Sequence, residues 1–183
     1  MESDATDSKF TSGGDKVIII EAICFDLGDT LIAEETVIHN SVGQALTTDI
    51  IESTFKILDK IRKSGCKLTL IANDNSVSAR NIVKTTSLEN YFNVIVISEE
   101  LGVEKPDQQI FVAALAKLGV KPRNTVMVGD RIDSDIIEAN RVGMKRVLFK
   151  WNTRYDELIT SEEEKPKFTI GSLTELPGLL GLM

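Results

Sequence analysis

Asp26, Lys105, Asp130 and Asp135 are the residues whose types and placement could do chemistry together. Asp26 ends the apolar run Val17-Ile18-Ile19-Ile20-Glu21-Ala22-Ile23-Cys24-Phe25, and Asp26-Leu27-Gly28-Asp29-Thr30 then turns the chain. A carboxylate at the tip of a buried run is costly to desolvate unless a cation meets it. It marks either a metal or reacting-phosphate site, or a turn residue capping the next element. Ala72-Asn73-Asp74 closes a second apolar run, and Gly102-Val103-Glu104-Lys105-Pro106-Asp107 follows a third. Gly129-Asp130-Arg131-Ile132-Asp133-Ser134-Asp135 closes a fourth. If these runs are parallel strands of one sheet, their ends share an edge, where ligands bind in such sheets. Carboxylates that converge there raise one another's pKa unless a cation lies between them. Mg²⁺, a hard ion held by one or two carboxylates, waters and substrate phosphate, meets that need. A neighbouring Lys adds a second positive charge for a phosphoryl group.

The elements that must position these groups follow from periodicity. A first strand is expected at about 17–25, then a weak stretch from Leu31 to Thr48 read as a loop with a short helix. Ile50, Ile51, Phe55, Leu58 and Ile61 recur at helical spacing up to Ser64-Gly65. Strands are expected at Lys67–Ala72, Val94–Ile97, Thr125–Val128 and Arg146–Phe149, with a short one near Phe168–Ile170. Helices are expected at about 77–86, from Pro106-Asp107 to Gly119, over Ser134–Arg141 and from Ser172 to about Leu180. Short apolar strands alternating with helices predict an α/β, three-layer Rossmann-like fold, a parallel sheet of about five strands with helices on both faces. Residues 1–15 are polar, rich in Gly and Ser and aperiodic, and read as a disordered tail before a single domain over 16–183. The run Glu162-Glu163-Glu164 reads as a solvated loop.

Composition narrows the chemistry. A chain of 183 residues, 42% hydrophobic and 27% charged, buries a full core without disulfides. A net charge of −7 and the absence of Lys/Arg clusters argue against nucleic acid as a partner. No apolar run is long enough to span a bilayer, and the first residues lack a signal pattern, so no membrane partner and a cytoplasmic location are expected. Cys24 and Cys66 have no CxxC spacing and read as buried thiols of a reducing compartment. His39 is the only histidine, so His-based triads and multi-His metal sites are excluded and catalysis must run on carboxylates and Lys.

The ordered set of strand-end motifs resembles the haloacid dehalogenase-like (HAD) hydrolase superfamily over roughly residues 17–180. Phe25-Asp26-Leu27-Gly28-Asp29-Thr30-Leu31 resembles its first motif, Gly102–Asp107 its third, and Val128-Gly129-Asp130 with Asp135 and Gly143-Met144 its fourth. The resemblance implies Asp26 as nucleophile and Lys105 as the lysine that pairs with it and with phosphate. It implies Mg²⁺ held by Asp26, the Gly28 carbonyl, Asp130 and Asp135. The expected activity is a Mg²⁺-dependent phosphatase working through an aspartyl-phosphate.

Two positions depart from the family pattern. The superfamily's phosphatases carry a second Asp two residues after the nucleophile, as general acid and base, and Gly28 stands there. Asp29, one place on, is a candidate for the role or a turn-stabilising carboxylate; Asp74 or a water are others. Ala72 replaces the usual Ser or Thr, leaving Asn73 as the candidate phosphate donor through its amide or backbone N–H. Ala72 comes 46 positions after Asp26, and Lys105 another 33 on, gaps too short for a full cap domain. An uncapped site favours a macromolecular or surface-presented phosphorylated substrate, closure by a second subunit, or low specificity. Neither substrate identity nor oligomeric state is readable. His39 falls where a minimal cap would lie, and Trp151 and Tyr155 either flank the entrance or pack. Two other readings stand: a catalytically weak or inactive binding scaffold, suggested by Gly28 and Ala72, and a dehalogenase-type hydrolase, which also lacks an acid at position 28. A receiver domain uses Asp, Mg²⁺ and Lys too, but places its Lys last.

Overall fold

Strand β1 (Ala22–Phe25) has no exposed residue, and it occupies the middle of the sheet. A computed structural model describes residues 19–155 and 158–182. The stretch 1–15 and the start of the first apolar run lie outside them. Flanking β1 are β4 (Lys67–Ala72) on one side and β6 (Thr125–Gly129) on the other, both parallel to it. Beyond β4 lies β5 (Val94–Ile97), and beyond β6 come β7 (Lys145–Phe149) and β8 (Phe168–Ile170). The order is β5-β4-β1-β6-β7-β8, every pairing parallel. The sheet has six strands, the expected short one at Phe168–Ile170 joining the edge beside Val147–Phe149.

Alternation along the strands sorts the two faces. Ile23, Phe25, Leu68, Leu70, Val126 and Val128 pack with Leu58 and Ile61 of α1 (Thr54–Lys63), Val83 of α2 (Ser76–Thr85) and Leu176 of α6 (Leu176–Leu180). Cys24, Ile71 and Met127 point the other way, into Phe111 and Ala114 of α4 (Gln108–Leu118) and Ala139 of α5 (Ile137–Arg141). Phe25, Phe111 and Phe149 are wholly buried, each contributing about 1.5–3 kcal/mol by leaving water. Burial also drives the Cys24 thiol well above its usual range, so it is an inert core residue. Cys66 is buried as well, its thiol donating to the Ile20 carbonyl. Among the described residues no helix is long and apolar enough to cross a membrane.

The stretch after β1 departs most from expectation. Instead of a loop with a helix, it holds a 3-10 turn at Glu34–Thr36 and an antiparallel hairpin, β2 (Ile38–His39) with β3 (Ala45–Thr47). Ile50 and Ile51 lie before helix α1, because Ser53 is left-handed at φ 69° and interrupts the helical path. The hairpin lies on α2: Ala45 N–H donates to Ser78 Oγ (2.9 Å), Asn81 Nδ2 to the Ala45 carbonyl (3.0 Å) and Thr85 Oγ1 to the Leu46 carbonyl (3.0 Å). The helix expected at Ser134–Arg141 is preceded by a π-helical turn over Ile132–Ile136 and becomes regular only at Ile137. A further short helix, α3 (Ser98–Leu101), follows β5. Glu162 and Glu163 are exposed, as a solvated loop requires.

Candidate active site

Parallel strands β1 and β6 end side by side, and each delivers an acid where its ladder stops. Asp26 N–H still donates to the Val128 carbonyl (3.0 Å), so its side chain leaves the sheet at the first free position. Asp130 directly follows β6. Asp135 returns to the same point on the π-helical turn, where its Oδ2 accepts from Arg131 N–H (3.2 Å). This return needs a glycine at 129: a Cβ there would stand 2.3 Å from Asp135 Oδ2. One carboxylate oxygen each from Asp26, Asp130 and Asp135 lie within 4.8 Å of one another.

Lys105 meets these acids from the far side. Its side chain is 3% exposed, and Nζ donates to Asp26 Oδ1 and, at 2.8 Å, to Asp135 Oδ1. Burial alone would lower the ammonium's pKa, but Asp135 and Asp26 outweigh it and hold Lys105 firmly charged. Asp130 instead accepts from Thr30 Oγ1 (3.4 Å), and Lys105 offsets less of its burial. Its carboxyl is pushed up to about 9, first by burial and then by Asp26 and Asp135. Asp135 rises less, to about 6, because Lys105 offsets its burial. One ammonium against three converging carboxylates leaves negative charge uncompensated, and an all-oxygen donor set of this kind fits a hard divalent cation.

The acids and Lys105 line a cavity of about 530 Å³. Gly28, Glu34 and Val37 form part of its wall, the hairpin residues His39, Gly43 and Ala45 another, and Ala72–Asn75 with Ser78 a third. Arg131, Asp133, Arg154 and Tyr155 also line it, with the Arg131 guanidinium 4.5 Å from the Tyr155 ring centroid. Tyr155 and His39 thus stand at the cavity, whereas the Trp151 indole N–H donates to the Asp29 carbonyl (2.7 Å).

Asp26, Lys105, Asp130 and Asp135 are brought together as their spacing suggests, with Gly28 alongside. Asn73 lines the cavity, but its amide is engaged: Nδ2 donates to the Lys105 carbonyl (2.7 Å) and Oδ1 accepts from Lys105 N–H (2.8 Å). This two-point clamp holds the lysine's backbone and uses one of the two Nδ2 hydrogens. Asp74 faces the cavity while its Oδ1 accepts from Asn75 N–H and Nδ2. Burial raises its pKa, with Glu99 adding to the rise against the Asn75 hydrogen bond and His39.

Asp29 is not brought into the cavity. Its backbone is left-handed at φ 46° and its carboxylate is buried, outside the residues that line the cavity. Oδ1 accepts from Glu34 N–H (3.1 Å), and Oδ2 meets Arg154 Nη1 at 3.1 Å. Sequence reasoning did not single out Glu34, which shares that guanidinium through Oε2 (2.6 Å) and lines the cavity. Burial raises the Glu34 pKa, as do Asp29 and Asp26, while Arg154 opposes the rise. The signal that could have found it is Gly28, because a position without a side chain leaves room for a carboxylate from elsewhere.

The sequence pattern of the haloacid dehalogenase-like hydrolases matches residues 37–149. That span is more than half of the chain; it contains Lys105, Asp130 and Asp135, and it begins beyond Asp26. The glyceraldehyde 3-phosphate phosphatase of Methanopyrus kandleri is 38% identical over 119 residues, 65% of this chain and 51% of that protein. The N-acylneuraminate-9-phosphatase of Mus musculus is 32% identical over 124 residues, 68% of this chain and 49% of that protein. A crystal structure of a HAD phosphatase from Thermococcus onnurineus superposes with a TM-score of 0.65 at 29% identity, over 73% of this chain and 59% of that one. The chain spans about half the length of the curated relatives it matches.

Proposed function

This chain belongs to the haloacid dehalogenase-like hydrolase family, and from that premise we propose that it is a Mg²⁺-dependent phosphatase of phosphate monoesters. One observation carries the reading: Lys105 bridges Asp26 and Asp135 beside Asp130, on the floor of an open cavity. Asp26 Oδ attacks phosphorus, the bond to the ester oxygen breaks, and an aspartyl-phosphate forms. Lys105 stabilises the charge that gathers on the phosphoryl oxygens and holds Asp26 in place for attack. Water then cleaves the aspartyl-phosphate, returning the Asp26 carboxylate and releasing inorganic phosphate. Asp26, Asp130 and Asp135, with the Gly28 carbonyl, would hold Mg²⁺, which when bound supplies positive charge to the phosphate and lets the acids stay ionised together.

The substrate class is a phosphorylated compound of open size, macromolecular ones included, and the chain works without nucleic-acid or membrane partners in the cytoplasm. The short elements between β1 and β4, a 3-10 turn, the hairpin and α1, support a site without a full cap. Carbon–halogen displacement by Asp26 would leave Asp130 and Asp135 without a cation to hold, since there is no phosphoryl charge for a cation to neutralise. The deciding experiment is a panel of phosphate monoesters, with Mg²⁺ and with EDTA, run beside Asp26→Asn. Turnover that needs Mg²⁺ and vanishes in the variant is expected; turnover retained by Asp26→Asn sinks the mechanism.

A further inference from the structure

The space that a side chain at position 28 would take is already filled. A Cβ on Gly28 would stand 2.0 Å from Glu34 Oε1, 2.8 Å from its Cδ and 3.0 Å from its Cγ. The Glu34 carboxylate therefore covers the backbone two residues after the nucleophile, on the wall of the same cavity. We infer that Glu34 is the proton donor and acceptor of this site, an inference that rests on the phosphatase reading above. In the first half-reaction the ester oxygen leaves phosphorus with the bonding pair and takes the Glu34 proton, emerging as an alcohol. In the second, the attacking water gives a proton to Glu34 as its oxygen bonds phosphorus and the bond to Asp26 breaks.

The other cavity acids are committed elsewhere. Asp26 and Asp135 hold Lys105, and Asp130 lies with them in the acidic cluster. Asp133 is paired with Arg131, and Asp74, which accepts from Asn75 through Oδ1 alone, is not among the atoms nearest a side chain at position 28, all of which belong to Glu34. Asp29 is off the wall altogether. Glu34 instead is held at both ends with one oxygen to spare. Asp29 fixes its backbone N–H, and Arg154 grips Oε2, which leaves Oε1 over Gly28. Asp29 and Arg154 are accordingly positioning residues for Glu34. Its side chain is 41% exposed, so the carboxylate can exchange protons with water between turnovers.

The test is single-turnover release of the leaving group by Glu34→Gln with Mg²⁺, using glycerol 1-phosphate and 4-nitrophenyl phosphate. Nitrophenolate leaves without a proton, whereas an alkoxide does not. Glycerol release should fall by about 10²–10⁴-fold, the usual contribution of general acid catalysis, while first-turnover nitrophenolate release stays within about tenfold of the parent. Glycerol release near the parent rate, or equal losses on both esters, overturns the inference, the second outcome being that of a merely structural role. A parent protein that cleaves neither ester with Mg²⁺ removes the phosphatase reading and this inference with it.

Discussion

Replacing Lys105 by Met should show how much of the site's stability rests on one ammonium. Met keeps a side chain of similar length in a pocket where Lys105 is 3% exposed, so little packing is lost. What is lost is charge. At 2.8 Å and an effective dielectric constant of about 20, the Lys105–Asp135 attraction alone is about 6 kcal/mol. The cost of burying the ions offsets part of this, and removing one member of a buried pair typically costs about 3–5 kcal/mol. For a chain of this size each kcal/mol moves Tm by about 2–4 °C, so Lys105→Met should melt about 6–20 °C lower in EDTA. Adding Mg²⁺ should recover more in the variant than in the parent, because the ion then supplies charge that the lysine no longer does. At about 100 times its Kd, a ligand stabilises by about 2.7 kcal/mol. Circular-dichroism melts of both proteins, in EDTA and in Mg²⁺, measure each term. Coincident melts in EDTA would refute the electrostatic account of the cluster.

Asn73→Ala removes the clamp on the Lys105 backbone, so kcat should fall at least tenfold with KM within about threefold, at roughly 1 kcal/mol per hydrogen bond lost. A selective rise in KM would show instead that the amide binds substrate. Asp29→Asn keeps the bond to Glu34 N–H and loses the ion pair to Arg154. It should lower alkyl-phosphate turnover less than tenfold, and a loss as large as that of Glu34→Gln would make Asp29 the proton carrier. Asp130 carries a pKa near 9 in the metal-free fold against an ordinary value near 4, so the folded chain binds its proton more tightly than the unfolded one. Stability in EDTA should therefore fall as pH rises between about 4 and 9, and Mg²⁺ should flatten the slope. Urea midpoints across that range read it directly, and a rising curve in EDTA would contradict the burial of this acid.

Much of the site was legible because its residues sit at the ends of short apolar runs. Val126-Met127-Val128 can only be a buried strand, and a parallel sheet places Asp130 beside Asp26 whatever the loops do. Lys105 was readable for the same reason, one turn before a helix that Asp107 caps. The rest depends on contacts that no period encodes. The hairpin is two and three residues long, with Ile38 and Leu46 exposed, so neither strand carries an alternating pattern. Asp29 sits at a positive φ, which Asp tolerates better than most residues, and its carboxylate meets Glu34 N–H and Arg154, contacts that no spacing announces. The amide of Asn73 has equally plausible uses in sequence, and only the approach of the Lys105 backbone selects one. Glu34 was invisible because its place is defined by a missing side chain six residues earlier.

The seating of the hairpin on α2 has a mechanical consequence. Ser78, Asn81 and Thr85 stand one turn apart and act as a strand made of side chains, to which β3 is laced. The first turn of that helix is anchored by Asn75, whose Oδ1 accepts from Ser78 N–H (2.8 Å), immediately after Asn73 and Asp74 on the cavity wall. A displacement of the 73–75 turn would therefore be passed to Ser78 and, through its hydroxyl, to Ala45 of the hairpin. The 73–75 turn and the hairpin are thus joined through one side chain, Ser78, which accepts from Ala45 N–H while its own N–H donates to Asn75.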